Sequence, residues 1–328
     1  MNQCATGLTL DLWHYRVSLR CPAPVRRREG LVCQWRTDSG HECWSEMAPL
    51  PGFSREDLAT CELASRQLLD LLPVEQALEQ RHTAKLPAAA RFAFEAGRWQ
   101  LLGGPPEPPR LEPCRLLGAE ALAAGECPER AAALKVKVGR AAPERERALL
   151  LALLHKLPPG AKLRLDANRS LTAAQVRTLT HGLPPSQVEF LEEPLLPASR
   201  YDDWEEISTI PFAWDEMLLQ APEPDLRTPG LGALVVKPML LGLEPARAWV
   251  EKARAAGVKV ILSGAFESNL SLDLYAALAH EWELEGPHGL DTFGPWPEAL
   301  IRPLISQPDC QRPIRNLEQL EHRGRWAS

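Results

Sequence analysis

The sequence predicts an α/β protein, a TIM-like (β/α) barrel preceded by a separate α+β unit. Three observations lead there. From about Leu111 to Phe293 short apolar runs of strand length alternate with helical segments, and there are eight such runs, the number that closes a barrel. Five successive runs end in charged residues, which in a parallel barrel gathers those charges at one rim. The residues before Leu111 have neither feature. The expected division is 1–105 for the α+β unit, 106–294 for the barrel, and a proline-rich tail, 295–328, that returns along the surface to the first unit.

In the first unit, strand-like segments run from Leu8 to Leu19 and from Gly30 to Arg36. HECWSEMAP follows, then the turn-rich PLPGFS from Pro49 to Ser54. Ser54 with Asp57 fits the S-x-x-[DE] capping pattern, so a helix is expected from there to about Leu72, and a second from Pro87 to Leu102. This unit has no charged strand ends. Its contribution to function is expected from loops that close over the mouth of the barrel.

The eight barrel strands are expected near Cys114–Gly118, Ala133–Gly139, Lys162–Asn168, Val188–Pro194, Pro211–Glu216, Ala233–Pro238, Lys259–Gly264 and Gly289–Phe293. Helices over Pro143–Lys156, Thr172–His181, Glu244–Ala256 and Leu270–His280 supply the outer ring.

The chain is organised around ALKVKVG, Ala133 to Gly139. Alternation puts Leu134, Val136 and Val138 on one face and Lys135 and Lys137 on the other. Two lysines side by side on a buried strand repel and lose hydration, so something negative must lie nearby. KLRLDAN repeats the pattern, with Arg164, Asp166 and Asn168 on one face. VEFLEEP then brings Glu192, PFAWDE brings Asp215 and ALVVKP brings Lys237. A lone Lys-x-Lys is usually a solvated edge. Here lysine is scarce, eight of 37 basic residues, yet it holds all three of these positions, and of the two basic types only lysine readily gives up its proton.

Asp166, Glu192 and Asp215 are hard oxygen ligands with no histidine or cysteine in phase, a set that suits Mg²⁺, or Mn²⁺, better than Zn²⁺. Such a site can grip a substrate carboxylate. Lys135 and Lys137 approach from one side and Lys237 from the other, and a lysine beside a second cation, partly buried and near a metal, can act as a base. Together these parts define abstraction of an α-proton from a small carboxylate to give an enediolate, with the metal and a second lysine stabilising the added charge. A Schiff-base aldolase using Lys237 is a reading from another class, and the three carboxylates argue against it.

Composition narrows the partners. A net charge of −6 gives no general attraction for nucleic acid or anionic membrane, and the Arg26-Arg27-Arg28 run reads as a solvated turn. No run approaches the length of a membrane span and the opening residues lack a leader pattern, so a cytoplasmic protein, monomer or homo-oligomer, is expected. Eight scattered cysteines, Cys4 and Cys21 among them, form no CxxC pair and read as reduced thiols. The 31 prolines read as composition bias, most of them in loops.

PLPGFS, KVKVG, LRLDANR, FLEEP, AWDE, VVKP, ILSGAFES and GLDTF occur in this order from residue 49 to 293. In this the chain resembles the enolase superfamily, and within it the o-succinylbenzoate synthases of menaquinone biosynthesis. The resemblance implies a capping domain over a (β/α)₇β barrel and a Mg²⁺-dependent syn-dehydration of 2-succinyl-6-hydroxy-2,4-cyclohexadiene-1-carboxylate. Carried over residue by residue, Asp166, Glu192 and Asp215 would bind Mg²⁺ and Lys137 would be the acid/base. Lys135 would lower the pKa of Lys137, and Lys237 would stabilise the enediolate. Arg164, Asn168, Ser263, Gly264 and Gly289 would face the substrate, with Pro51-Gly52-Phe53 as lid. An N-succinylamino acid racemase or dipeptide epimerase would use the same metal and lysines.

Overall fold

The computed structural model describes residues 7–20, 25–104, 107–220 and 223–328. Cys4, Cys21 and the boundary expected between 105 and 106 lie outside the described residues. The first unit holds three strands, β1 (Leu8–Ser18), β2 (Arg27–Thr37) and β3 (Glu42–Met47), and four helices, α1 (Leu58–Leu71), α2 (Val74–Ala77), α3 (Gln80–Thr83) and α4 (Ala88–Leu101). β3 was not foreseen: HECWSEM carries a glutamate, Glu46, that is wholly buried, and only its hydrogen bonds make that tolerable. The cap of α1 is Asp57 itself, accepting from Thr60 N–H at 2.8 Å. Ser54 instead closes its own turn, its hydroxyl accepting from Leu50 N–H.

Seven parallel strands follow: β4 (Arg115–Leu117), β5 (Ala133–Lys137), β6 (Lys162–Asp166), β7 (Val188–Glu192), β8 (Phe212–Trp214), β9 (Leu231–Val236) and β10 (Lys259–Leu262). They lie in chain order from β10 to β4, so every strand sits beside its sequence neighbour, the arrangement of a TIM-like α/β fold. The helices between and after them are α5 (Ala119–Ala123), α6 (Pro143–Leu154), α7 (Ala173–Thr180), α8 (Trp204–Ile207), α9 (Pro238–Leu241), α10 (Leu243–Ala256) and α11 (Asn269–Glu281). Thr172 and Gln175 form a capping box on α7, and Gly257 ends α10 in the left-handed conformation that a side chain would strain.

The eighth expected strand, Gly289–Phe293, is not a strand. Gly289 makes a single parallel bridge to Ser263, and the neighbouring Asp291 carboxylate, rather than a backbone group, accepts from Leu116 N–H. The seam between β10 and β4 is nevertheless spanned by backbone: Gly289 N–H donates to Leu262 O, Gly264 N–H to Gly289 O, and Cys114 N–H to His288 O.

Beyond it come the short pair β11 (Ala299–Leu300) and β12 (Ile314–Arg315), then β13 (Glu321–Ala327), which lies antiparallel to β1 at the edge of the first sheet. That sheet runs β13-β1-β2-β3. α4 crosses it at Gly97, where any Cβ would stand 2.4 Å from the Trp35 indole. No helix among the described residues is long and apolar enough to cross a membrane.

Candidate active site

Lys137, Asp166 and Glu192 are the last residues of β5, β6 and β7, and register sets Lys137 opposite Asp166 and Asp166 opposite Glu192. Asp215 and Lys237 stand one position beyond β8 and β9. Parallel strands in register therefore deliver five charges to one rim. Lys135 Nζ reaches both Asp166 Oδ2 at 2.7 Å and Glu192 Oε2 at 2.8 Å. Lys137 Nζ lies 2.6 Å from the same Asp166 oxygen, and Lys237 Nζ donates to Asp215 Oδ2. The three acids are almost fully buried. Of the three lysines, Lys137 is the most open, its side chain 29% exposed against 19% for Lys135 and 15% for Lys237.

Burial alone would push the Lys135 ammonium toward losing its proton, but the carboxylates of Asp166 and Glu192 outweigh it and hold its pKa above the ordinary value. Lys237 is held up in the same way by Asp215 and Glu192. Asp166 is the mirror case: burial raises its pKa, and the two ammonium groups more than reverse that. Glu192 is pushed up to about 7, first by burial and then by the charge of Asp166, with Asp215 adding to it. In the lysine-bridged arrangement, no three His, Cys, Asp or Glu side chains among the described residues are gathered as a ready metal-ligand group.

The residues expected to face substrate divide. Asn168 is at the rim, with its backbone N–H 3.2 Å from Asp166 Oδ1 and its side-chain amide donating to the same oxygen, so it orients the acid. Ser263, Gly264 and Gly289 come together where the backbone leaves β10, and Ser263 N–H donates to Val236 O beside Lys237. At Gly289 a Cβ would stand 2.8 Å from Ser263 Oγ, so the glycine permits that approach.

Arg164 is a correction. It is in phase with Asp166 but one layer deeper, and its guanidinium runs to Glu189 Oε2 at 2.6 Å and Pro287 O at 2.8 Å, over the Phe190 ring. Glu189 also binds Lys259, the first residue of β10, so this cluster belongs to the opposite end of the strands from the rim. The arginine run needs correcting at its last member alone, since Arg26 and Arg27 are exposed. Arg28 is fully buried in β2 and donates to Ala48 O, Pro49 O and Phe266 O at 2.7, 2.8 and 3.0 Å. Sequence reasoning also missed Glu193, buried beside Glu192; the doubled glutamate of FLEEP was the available signal.

The PLPGFS turn reaches the loops of the same rim. Pro51 and Gly52 make a turn in which Phe53 N–H donates to Leu50 O, and Gly52 takes the positive φ of 82° that this turn requires. Leu50 clusters with Leu240 and Ala265, and Leu219 packs against them. These three follow Lys237, Ser263 and Asp215 in the chain, so the first unit touches the loops that carry the charged residues.

A curled parallel sheet with acids and lysines on successive strand ends defines a class, the enolase-type barrel proteins. Residues 118–308 match the family model described as "Enolase C-terminal domain-like", and residues 9–97 match that described as "MenC, N-terminal domain". The o-succinylbenzoate synthase of Vibrio cholerae (strain M66-2) is 32% identical over 301 residues, covering 84% of this chain and 88% of that one. That of Edwardsiella ictaluri is 31% identical over 324 residues, 94% and 97% of the two chains. The chain belongs to the o-succinylbenzoate synthase family. Among solved structures, the o-succinylbenzoate synthase of Thermosynechococcus elongatus BP-1, complexed with Mg in the active site, superimposes with a TM-score of 0.69 at 28% identity, covering 91% of this chain and 96% of that one. A dipeptide epimerase from Enterococcus faecalis V583 reaches 0.71 at 17% identity over 92% and 95%, a likeness of fold alone.

Proposed function

We propose that this chain converts 2-succinyl-6-hydroxy-2,4-cyclohexadiene-1-carboxylate to o-succinylbenzoate in menaquinone biosynthesis, by syn loss of water at the rim formed by β5 to β9. The observation that carries the reading is the division of labour among the lysines: Lys135 is bridged between two acids, whereas Lys137, on the same face, is the more open amine. Family membership supplies the substrate.

Lys137, when unprotonated, takes the α-proton as the C–H bond breaks, then returns that proton to the hydroxyl that leaves from the same face, so one group serves as base and acid and the ring becomes aromatic. Lys135 stays an ammonium, holding Asp166 and Glu192 in place beside it. Lys237, also an ammonium, offsets the negative charge of the enediolate from the other side. The donor set fits a divalent cation: Asp166, Glu192 and Asp215 are three buried hard-oxygen acids on successive strand ends, and burial with the charge of its acidic neighbours raises Glu192 to about 7, a crowding of carboxylates that a divalent cation relieves. Asp166, Glu192 and Asp215 would hold Mg²⁺, which when bound supplies Lewis-acid stabilisation of charge developing on the substrate carboxylate.

The architecture that goes with this reading is a (β/α)₇β barrel capped by residues 1–105 with the tail 295–328. It is supported by the backbone bonds across the seam at His288 and Gly289, by Leu50 lying against Leu240 and Ala265, and by β13 joining the first sheet. A cytoplasmic location is supported by six described cysteines that are all free thiols.

The test is conversion of the cyclohexadiene substrate with and without EDTA, alongside Lys137→Ala. EDTA should abolish turnover, and the substitution should lower kcat by about a thousandfold or more while the thermal midpoint stays put. Unchanged turnover in Lys137→Ala would end its assignment. Racemisation of an N-succinylamino acid at a higher kcat/KM than dehydration would assign the site to the other chemistry.

A further inference from the structure

The second acid of the Glu192-Glu193 pair takes part in none of the steps above, yet it is 1% exposed and ties its own loop to those after β6 and β8. Its Oε1 accepts from the backbone N–H of Asp215 at 2.9 Å and of Met217 at 2.8 Å. Its own N–H donates to Ala213 O, in the middle of β8, and its carbonyl accepts from Arg169 N–H at 2.6 Å, in the loop after β6. Oε2 accepts no hydrogen bond, and Arg169 Nε stands 3.8 Å from it. Glu193, Arg169 and Asn168 all have positive φ, 41°, 59° and 45°. Non-glycine residues hold that conformation only where the surroundings fix it.

Each of the loops tied together here follows one of the three rim acids. Asp215 is the acid most in need of such a tie. It sits just past a three-residue strand, at φ −124° and ψ −83°, with no sheet register of its own. A carboxyl oxygen accepting from both the Asp215 and the Met217 N–H holds that stretch of backbone to the end of β7, whereas a bare turn would let the Asp215 side chain swing.

We propose that Glu193 is the positioning residue that fixes Asp215 relative to Asp166 and Glu192, and so sets the affinity of the rim for a divalent cation. The inference rests on the reading of those three acids as the cation's ligands. Glu193 acts through the backbone of its neighbours and touches neither cation nor substrate.

The test is calorimetric titration of the purified full chain with MgCl₂, for the wild type, Glu193→Ala and Glu193→Gln, with thermal midpoints measured on the cation-free proteins. Glutamine keeps an oxygen that can accept from both N–H groups, and alanine does not. Glu193→Ala should bind Mg²⁺ at least about tenfold more weakly, and Glu193→Gln within about threefold of the wild type, whatever their midpoints. If Glu193→Ala does not fold, Glu193→Asp, one methylene too short to reach both N–H groups, carries the same expectation as alanine. Undiminished affinity in the alanine or aspartate variant, with a wild type that binds, overturns the role of Glu193 alone. A glutamine variant as weak as alanine also overturns it, since charge and not acceptance would then be what matters. A wild type that binds no Mg²⁺ overturns the ligand assignment, and the role of Glu193 with it.

Discussion

His288 is 2% exposed at the seam between β10 and β4, and its ring must stay uncharged to keep its place. Nδ1 faces the Leu262 N–H at 3.3 Å, which requires a lone pair there. Burial, and then the Arg164 guanidinium, push its pKa down to about 4 from an ordinary 6.5. The folded chain therefore binds fewer protons than the unfolded one between those values, so this residue's stability is present above pH 6.5 and is lost as pH falls toward 4. The loss should reach about 2 kcal/mol by pH 5. Asparagine, whose Oδ1 can accept from Leu262 without titrating, should remove that slope: the difference in urea midpoint between pH 7 and pH 5 should be smaller in His288→Asn than in the wild type. Glu192 titrates in the opposite sense in both proteins and cancels in the comparison. Equal pH slopes would remove His288 as the sensitive group. Residues of this kind were not legible in the sequence, because a lone histidine before Gly289 has no partner nearby in the chain. The strand-end lysines and acids were legible, because two-residue alternation puts charge on a face that must be buried. Arg164 marks the limit of that reasoning: the period fixes the face a side chain takes, but not its depth along the sheet.

At the scale of elements, the short stretch after β3 is held from outside itself. Arg28 reaches out of β2 to the carbonyls of Ala48 and Pro49 and, across to the loop after β10, of Phe266, whose φ is 63°. One planar fork thus fixes the start of the PLPGFS turn to the Ser263–Phe266 loop, a geometry that a point-charge ammonium cannot reproduce. Arg28→Lys should therefore loosen the turn selectively. Chymotrypsin cleavage after Phe53, which is 39% exposed, should speed by about tenfold while the global unfolding midpoint moves little. An unchanged cleavage rate at Phe53 would mean that the turn is held by Leu50 and its apolar neighbours alone. The eighth run failed as a strand for an element-level reason too. GLDTF is apolar and short enough, but Gly289 gives way to Ser263 and Asp291 turns its carboxylate to Leu116, so side chains take over hydrogen bonds that a ladder would have made.

Across the whole molecule, the two ends of the chain complete one sheet, and that sheet carries the turn lying against the charged rim. β13 pairs with β1 from Thr9↔Ala327 to His14↔Glu321. The wholly buried Asp11 of β1 accepts from Arg36 of β2 at 2.6 Å and from His322 and Arg325 of β13 at 2.9 and 2.8 Å. Arg323 reaches Glu62 of α1, and the Trp326 indole donates to Asp70 further along the same helix. Deleting residues 317–328 would open the β1 edge and strip a buried carboxylate of two of its three partners, the situation in which an ion pair costs most. The thermal midpoint should fall by on the order of 5–10 °C. His322→Ala, which removes one partner that can otherwise turn to solvent, should lower it by less than a third of that. No residue of β5 to β9 touches the deleted strand through any of these bonds, so in the folded fraction, at low temperature, Mg²⁺ affinity should stay within about threefold of the full chain while KM for the substrate rises through the loosened turn. Parallel loss of cation affinity and stability would instead mean that the first sheet and the rim respond as one unit, with the acids positioned by that sheet and not by the register of their own strands.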